Sequence, residues 1–417
     1  MAASDDARSV AALVVTPELG RLITELQSRG LRVEQPFETR RGGAGPADAG
    51  MIWVEGVAVT VPVGADYVAS SPFVLRREDE GWGIYRDRAR IATADPLERP
   101  RFYDLTTADG VPYWKIALLH LDSLASTVLQ TCTYWGTTDQ CRFCGIELSL
   151  EAGRTIAVKR PDQLAEVAVA AKELDGVVDV TLTTGSTSAP DRGARYLGRC
   201  ARAIKQATGL PIEGQFEPPA DLGVLDEVHD DGLDSVGMHV ESFDPDVLAR
   251  IAPGKARTGI DGYFRAWERA VEVFGAGQVS TYVILGMGED PELTVEGCRR
   301  AIDAGVYPFV VPLRPVPGSL LGDCLPPAPD YMDRVYRQVA PYLVARGLGS
   351  GDVRAGCARC QACSAISVLE RDLARDQRLH PLPRPRRNEH DQVQPPARRP
   401  PVGRVRRRRK RRVRRGL

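Results

Sequence analysis

Between residues 124 and 313 the chain alternates six strand-like apolar runs (124–129, 178–183, 211–216, 235–240, 279–285 and 308–313) with helical stretches (161–173, 191–207, 222–230, 263–274 and 292–304). Parallel strands need a crossover connection, which a helix supplies, so this pattern predicts an α/β fold built from βα units. Six repeats are two short of the closed eight-stranded barrel. In either case ligands are expected at the C-terminal strand ends and in the loops that follow them.

The flanks read differently. Residues 1–120 are expected to form an N-terminal α+β domain. Thr16 caps a helix with Pro17 at its first position, and Leu19, Leu22, Ile23 and Leu26 make its apolar stripe. Strand-like runs follow at 51–63, 73–77 and 82–86, and Asp109-Gly110 suggests a hairpin between 102–105 and 112–119. Nothing catalytic stands out there, so a structural role covering one end of the next domain is expected. Beyond a core at 121–320, a Cys-rich extension is expected at 321–368, with a helix over 330–345. Residues 369–417 are Arg- and Pro-rich, cannot supply a core, and read as a disordered tail or as a shifted reading frame.

Of the 55 basic residues, 15 fall in 384–417 against two acids, which leaves an acidic body of 40 basic and 53 acidic residues. The tail lacks interleaved aromatics and any folded nucleic-acid module, so nucleic acid is not an expected partner. No signal peptide and no apolar run of ~20 residues is seen, so a cytoplasmic location and no membrane contact are expected. Nine cysteines, mostly in two tight clusters, fit metal ligation in a reducing compartment better than a disulfide framework.

The first cluster, Cys132, Cys141 and Cys144, directly follows the first predicted barrel strand. A closed structural zinc site needs four ligands, and no fourth Cys or His lies nearby. Together with Phe143, these residues resemble the cluster loop of the radical S-adenosylmethionine (radical SAM) superfamily, although eight residues separate the first two cysteines where three are usual. The resemblance implies a partial (β/α)6 TIM-like barrel. It also implies that the three cysteines hold a 4Fe-4S cluster whose open iron is chelated by S-adenosyl-L-methionine, with Phe143 near the adenine. Thr184 and Gly185 stand where the superfamily binds the methionyl amino group, without the usual acid. Ile284, Gly286 and Glu289 match its adenine-supporting segment, with Tyr282 in place of a glycine, and Arg314 either points toward the barrel mouth or makes a rim salt bridge. The implied activity is reductive cleavage of S-adenosylmethionine to a 5′-deoxyadenosyl radical that abstracts hydrogen from a small polar substrate. A reductase, flavodoxin or ferredoxin would supply the electron. The long first gap, the run 311–315 and the C-terminal triplet further resemble the radical SAM family encoded beside a nitrilase in bacterial gene clusters.

Alternation on the third and fourth strands turns Glu213, Gln215 and Glu217, and Gly237, His239 and Glu241, toward the barrel interior. Burying such groups is costly unless they bind something, so Glu217, His239 and Glu241 are candidates for cofactor or substrate contacts; a satisfied hydrogen-bond network is the alternative. Lys255 and Arg257 could meet a carboxylate or be surface charges. Tyr134 or Trp135 would cover the cluster. Cys357, Cys360 and Cys363 have the spacing for a second 4Fe-4S cluster or a zinc ion, with substrate, Cys324 or Cys298 as fourth ligand. No catalytic side chain is assigned. Two other classes stay open: a zinc-dependent barrel hydrolase, for which His239 alone is too few ligands, and a nucleic-acid modification factor using the basic tail.

Overall fold

The structure is a computed structural model that describes residues 16–41 and 49–373. The expected tail lies outside these residues except for its first five, which complete helix Ile366–Leu373. All described residues belong to one compact unit, and among them no helix is long and apolar enough to cross a membrane.

The first sheet contains β1 (Arg32–Val33), β2 (Ala49–Val54), β3 (Val57–Pro62), β4 (Phe73–Glu78), β5 (Gly81–Arg86) and β6 (Ala89–Pro96), in the order β1-β4-β5-β6-β2-β3. The run at 51–63 is therefore a hairpin rather than one strand: Glu55 and Gly56 turn the chain with positive φ. The hairpin expected around Asp109-Gly110 does not form. Thr107 takes the Val111 amide on its hydroxyl, so the turn satisfies itself locally. The flanking residues become a 3-10 turn (Arg101–Asp104) and a short helix (Tyr113–Ile116), joined by a single bridge between Thr106 and Pro112.

The second sheet is the partial barrel. β7 (Leu118–His120), β8 (Ser123–Leu129), β9 (Asp179–Thr184), β10 (Ile212–Gln215), β11 (Ser235–Gly237), β12 (Val279–Leu285) and β13 (Val306–Pro312) lie side by side in chain order. β8 to β13 are parallel and correspond to the six expected strands, while β7, not foreseen as a separate strand, pairs antiparallel at one edge. Helices Pro161–Asp175, Ala194–Thr208, Val224–Asp230, Ile260–Phe274 and Pro291–Asp303 connect them. Asp290 shows how one begins: its carboxylate accepts from the amides of Glu292 and Leu293. Strand β11 stops three residues early for a reason that matters below. Thr281 Oγ1 takes the Val240 amide and His239 Nδ1 takes the Tyr282 amide, so side chains replace rungs of the ladder.

The barrel's open side lies between edge strands β7 and β13. Segment 356–366 starts beneath the barrel, where Gly356 N donates to Asp179 (2.8 Å), the first residue of β9, and Cys357 N to Glu213 (3.3 Å), the second of β10. It then rises along the open side, where the Ser364 hydroxyl donates to Val310 O on β13. Thr60 N on β3 and the Gln27 amide clasp the Ala362 carbonyl at 2.8 and 3.0 Å. The N-terminal sheet and the extension thus close the barrel together.

Lys159 is only 1% exposed; its ammonium donates to Gln130 Oε1 (2.9 Å), and burial pushes its pKa down to about 7. An unfolded lysine titrates near ~10.4, so between about pH 7 and 10 the unfolded chain holds the extra proton and stability rises with pH. The wild-type protein is expected to gain on Lys159→Met by up to ~1.4 kcal/mol per pH unit across that window. Denaturant unfolding of both at pH 6, 8 and 9.5 checks this; parallel profiles contradict it.

Candidate active site

A cavity of about 350 Å³ occupies the barrel. That is the size of a small-molecule site. Its lining includes all three cysteines of the first triplet and all three of the second. None of the nine cysteines is in a disulfide.

The first triplet stands at the C-terminal strand ends. Its loop is fixed by backbone bonds from Thr133 N to Ser186 O (2.7 Å), Arg142 N to Ile251 O (2.8 Å) and Gly254 N to Asp139 O (3.2 Å). The Glu147 carboxylate accepts from Cys132 N at 3.0 Å. The long gap between Cys132 and Cys141 therefore docks on the segment after β11. Tyr134 within it is buried over the cavity and donates to Glu217 Oε2 at 3.1 Å, while Trp135 is not in the lining. Phe143 lines the cavity beside Cys141 and Cys144. Burial raises the pKa of Cys132, Cys141 and Cys144, the last to about 11, so a positive centre is needed to hold them as thiolates.

Around the thiols are buried polar groups from β9 to β12. Glu217 is satisfied, taking Ser186 Oγ at 2.6 Å as well as Tyr134. Glu241, with φ at 69°, pairs through Oε1 with Lys255, and its Oε2 has no partner among the described residues. Burial works against the Lys255 ammonium, but Glu241 and the other acidic groups around it hold its pKa above the ordinary value, making it a fixed cation. Lys255 is therefore no surface charge, whereas Arg257 is exposed and pairs with Asp139. His239 stacks on Tyr282 with ring centroids 4.3 Å apart. Because Nδ1 accepts the Tyr282 amide, the neutral ring carries its proton on Nε2, which lacks a partner. Burial, assisted by Lys255, lowers the His239 pKa to about 3, so it stays neutral.

Thr184 and Ile284 also line the cavity. Gly185 lines it too, but its missing side chain has a local cause: a Cβ there would lie 2.0 Å from Thr131 O. Its amide is also used, donating to Leu129 O at 2.8 Å. Gly286 is not in the lining. It has φ at 98°, a Cβ on it would meet the Pro327 ring at 2.8 Å, and Glu289 accepts from its amide and from Met287 N. Gly286 and Glu289 shape the turn behind Ile284. Arg314 lines the cavity and donates to Thr60 O (2.6 Å) rather than forming a rim ion pair.

At the other end, Gln215 donates to Cys357 Sγ (3.5 Å), and Tyr282 lies near that sulfur. Cys363 contacts Thr60 Oγ1. Burial opposes the Cys363 thiolate, but the His120 hydrogen bond and Arg314 outweigh it and bring its pKa to about 6; Cys357 is pushed up to about 12 by burial. Neither expected cysteine is available as fourth ligand: Cys298 is fully buried on helix Pro291–Asp303, and Cys324 is exposed and outside the lining. Among the described residues no three His, Cys, Asp or Glu side chains gather at a single point. A cluster offers each ligand its own iron, so its ligands surround a volume instead of meeting at a point. The unpaired thiols on the cavity walls, with the orphaned His239 Nε2 and Glu241 Oε2 beside them, fit a cluster and a polar ligand.

The model of the radical SAM superfamily matches residues 134–307. That match takes in the cluster loop from Tyr134 and the barrel as far as the start of β13, so the barrel is similar to that superfamily of enzymes. Among its relatives, a bacteriochlorophyllide c C-7(1)-hydroxylase of Chlorobaculum limnaeum is 32% identical over 137 residues, 32% of this chain and 34% of that protein. A lipoyl synthase of Methanocella arvoryzae is 29% identical over 158 residues, 37% of this chain and 50% of that protein. The matches thus span half or less of either relative's length. Similar solved structures include methylornithine synthase (TM-score 0.40, 18% identity, 53% of this chain and 62% of that one). A radical SAM methyltransferase from Sphaerobacter thermophilus has a TM-score of 0.41 at 15% identity, over 66% of this chain and 75% of that one.

Proposed function

We propose that the chain is a radical SAM enzyme that holds a 4Fe-4S cluster on Cys132, Cys141 and Cys144 and binds S-adenosylmethionine against it. Its substrate is a small polar molecule in the same cavity, and Cys357, Cys360 and Cys363 hold a second cluster. The observation that carries this reading is the single cavity lined by both triplets. When bound, the cluster and S-adenosylmethionine supply reductive cleavage and hydrogen abstraction; the protein positions and shields.

The side chains then divide the work. Phe143 and Ile284 flank the adenine, with Gly286 holding the turn behind Ile284. The end of β9 at Thr184 and Gly185 forms the wall beside the cluster loop. Neutral His239 donates from Nε2 to a carbonyl or carboxylate oxygen, and Glu241 Oε2 accepts from an ammonium or hydroxyl group. Glu217 holds Tyr134 over the cavity, which excludes water. Lys255 offsets the negative charge that a thiolate-bound cluster brings. The described residues before β7 and the extension at 321–368 act as separate closing pieces around the core. A reductase, flavodoxin or ferredoxin delivers the electron. The long first gap, the run 311–315 and the second triplet support the narrower assignment to the family encoded beside a nitrilase.

Anaerobic reconstitution tests the two-cluster part. Wild-type protein is expected to bind about eight irons with matching sulfide, falling to about four when Cys357, Cys360 and Cys363 are replaced by Ala. A wild-type count of about four contradicts it.

A further inference from the structure

The cavity lining includes the cationic side chains Arg40, Lys255 and Arg314, and of these Lys255 is paired with Glu241. Arg314 has no carboxylate partner among the described residues. The geometry points to Arg314 and the Tyr67 hydroxyl as the groups that bind a carboxylate of the substrate, where the N-terminal sheet meets the end of β13. The inference rests on the reading of the cavity as a substrate site, and it makes that substrate an organic acid.

Arg314 lies two residues beyond β13, between Pro312 and Pro315, with Pro317 following. Proline restricts both its own backbone and that of the residue before it, so the segment from which Arg314 projects is held extended. The guanidinium uses one N–H on Thr60 O, at 2.6 Å. Its charge also favours the Cys363 thiolate, but the hydrogen bonds of that sulfur go to Thr60 and His120. The remaining guanidinium donors therefore have no acceptor among the described residues. The two acids of the lining do not supply one: Glu217 takes the Ser186 and Tyr134 hydroxyls, and Glu241 holds Lys255.

Tyr67 stands in the 3-10 turn Asp66–Ser70 after β3. It lines a recess of about 30 Å³ that shares Ala49, Arg314 and Val316 with the main cavity, so the two spaces meet at Arg314. The Tyr67 hydroxyl is buried and has no partner among the described residues. Burial, only partly opposed by Arg314, pushes its pKa up to about 12, so it keeps its proton and acts as a donor. A buried donor without an acceptor is costly, and so is a cation in a cavity without a counter-charge. A single carboxylate answers both, because its two oxygens accept from the planar guanidinium and from a hydroxyl at once.

The test titrates butyrate, its neutral counterpart butyramide and inorganic phosphate separately into reconstituted full-length protein with S-adenosylmethionine present, and follows binding by saturation-transfer NMR. Butyrate is expected to bind about tenfold or more tighter than butyramide and tighter than phosphate. Arg314→Met should abolish that preference, Arg314→Lys should restore part of it, and Tyr67→Phe should weaken butyrate several-fold with the butyramide affinity unchanged. Equal binding of acid and amide, tighter binding of phosphate, no binding of any probe, or a preference that survives Arg314→Met overturns the assignment. So does a fall from about eight irons to about four in Arg314→Met, which makes the guanidinium a counter-charge of the second triplet instead. The 5′-deoxyadenosine formed by the same wild-type sample separates the two readings: its formation without a butyrate preference removes the carboxylate site alone, and a butyrate preference without it removes the radical SAM reading and leaves the site.

Discussion

Replacing Cys132, Cys141 and Cys144 by Ala is expected to abolish 5′-deoxyadenosine formation, a loss on the order of 10³-fold or more, because residues that act as one unit fail together. The same change should remove about half of the reconstituted iron. The three thiols line one wall and none has a disulfide partner, so the fold does not depend on a covalent link between them. Truncating the second triplet should behave differently. With Cys357, Cys360 and Cys363 changed to Ala, cleavage of S-adenosylmethionine should persist while turnover of the natural substrate fails. Single-turnover assays on the two triple variants separate these outcomes, and equal loss of cleavage in both contradicts the division of roles.

The second large effect concerns the segment that closes the barrel. Arg359 is 13% exposed and bridges Asp122 and Asp179, and Asp179 is fully buried. Removing one partner of a buried ion pair leaves an uncompensated charge and costs about 3–5 kcal/mol. Arg359→Ala should therefore lower the unfolding midpoint and release segment 356–363, so that iron falls from about eight to about four while 5′-deoxyadenosine formation continues. Arg359→Lys keeps the charge but not the planar fork, and should fall between the two. The glycine before the triplet points the same way: a Cβ at Gly356 would sit 2.0 Å from the Glu213 carboxylate. An Arg359→Ala protein with wild-type stability and full iron content contradicts this account.

The parallel sheet was legible because its strands are buried on both faces and its helices carry an amphipathic period, both local signals. The first triplet was legible for the same reason, since its cysteines lie within one loop. The short edge strand β7 left no such signal: three residues beside a left-handed leucine merge into the preceding apolar run. His120 was missed with it, and its proximity to Cys360 comes from tertiary folding alone. Tyr282 was read as a departure from a glycine; the structure shows it stacked on His239 and lying near Cys357, between the two ends of the cavity. The shortening of β11 likewise had no local cue, because it depends on His239 and Thr281 taking amides from a neighbouring strand. Gly185 and Gly286 were found by position, but each glycine is explained by a neighbouring chain segment rather than by a ligand.

The most direct measurement is of the products formed when anaerobically reconstituted wild-type protein is reduced in the presence of S-adenosylmethionine. The account predicts 5′-deoxyadenosine and methionine in equal amounts from an iron- and sulfide-loaded protein. Protein that retains zinc, takes up no iron and yields no 5′-deoxyadenosine would contradict it.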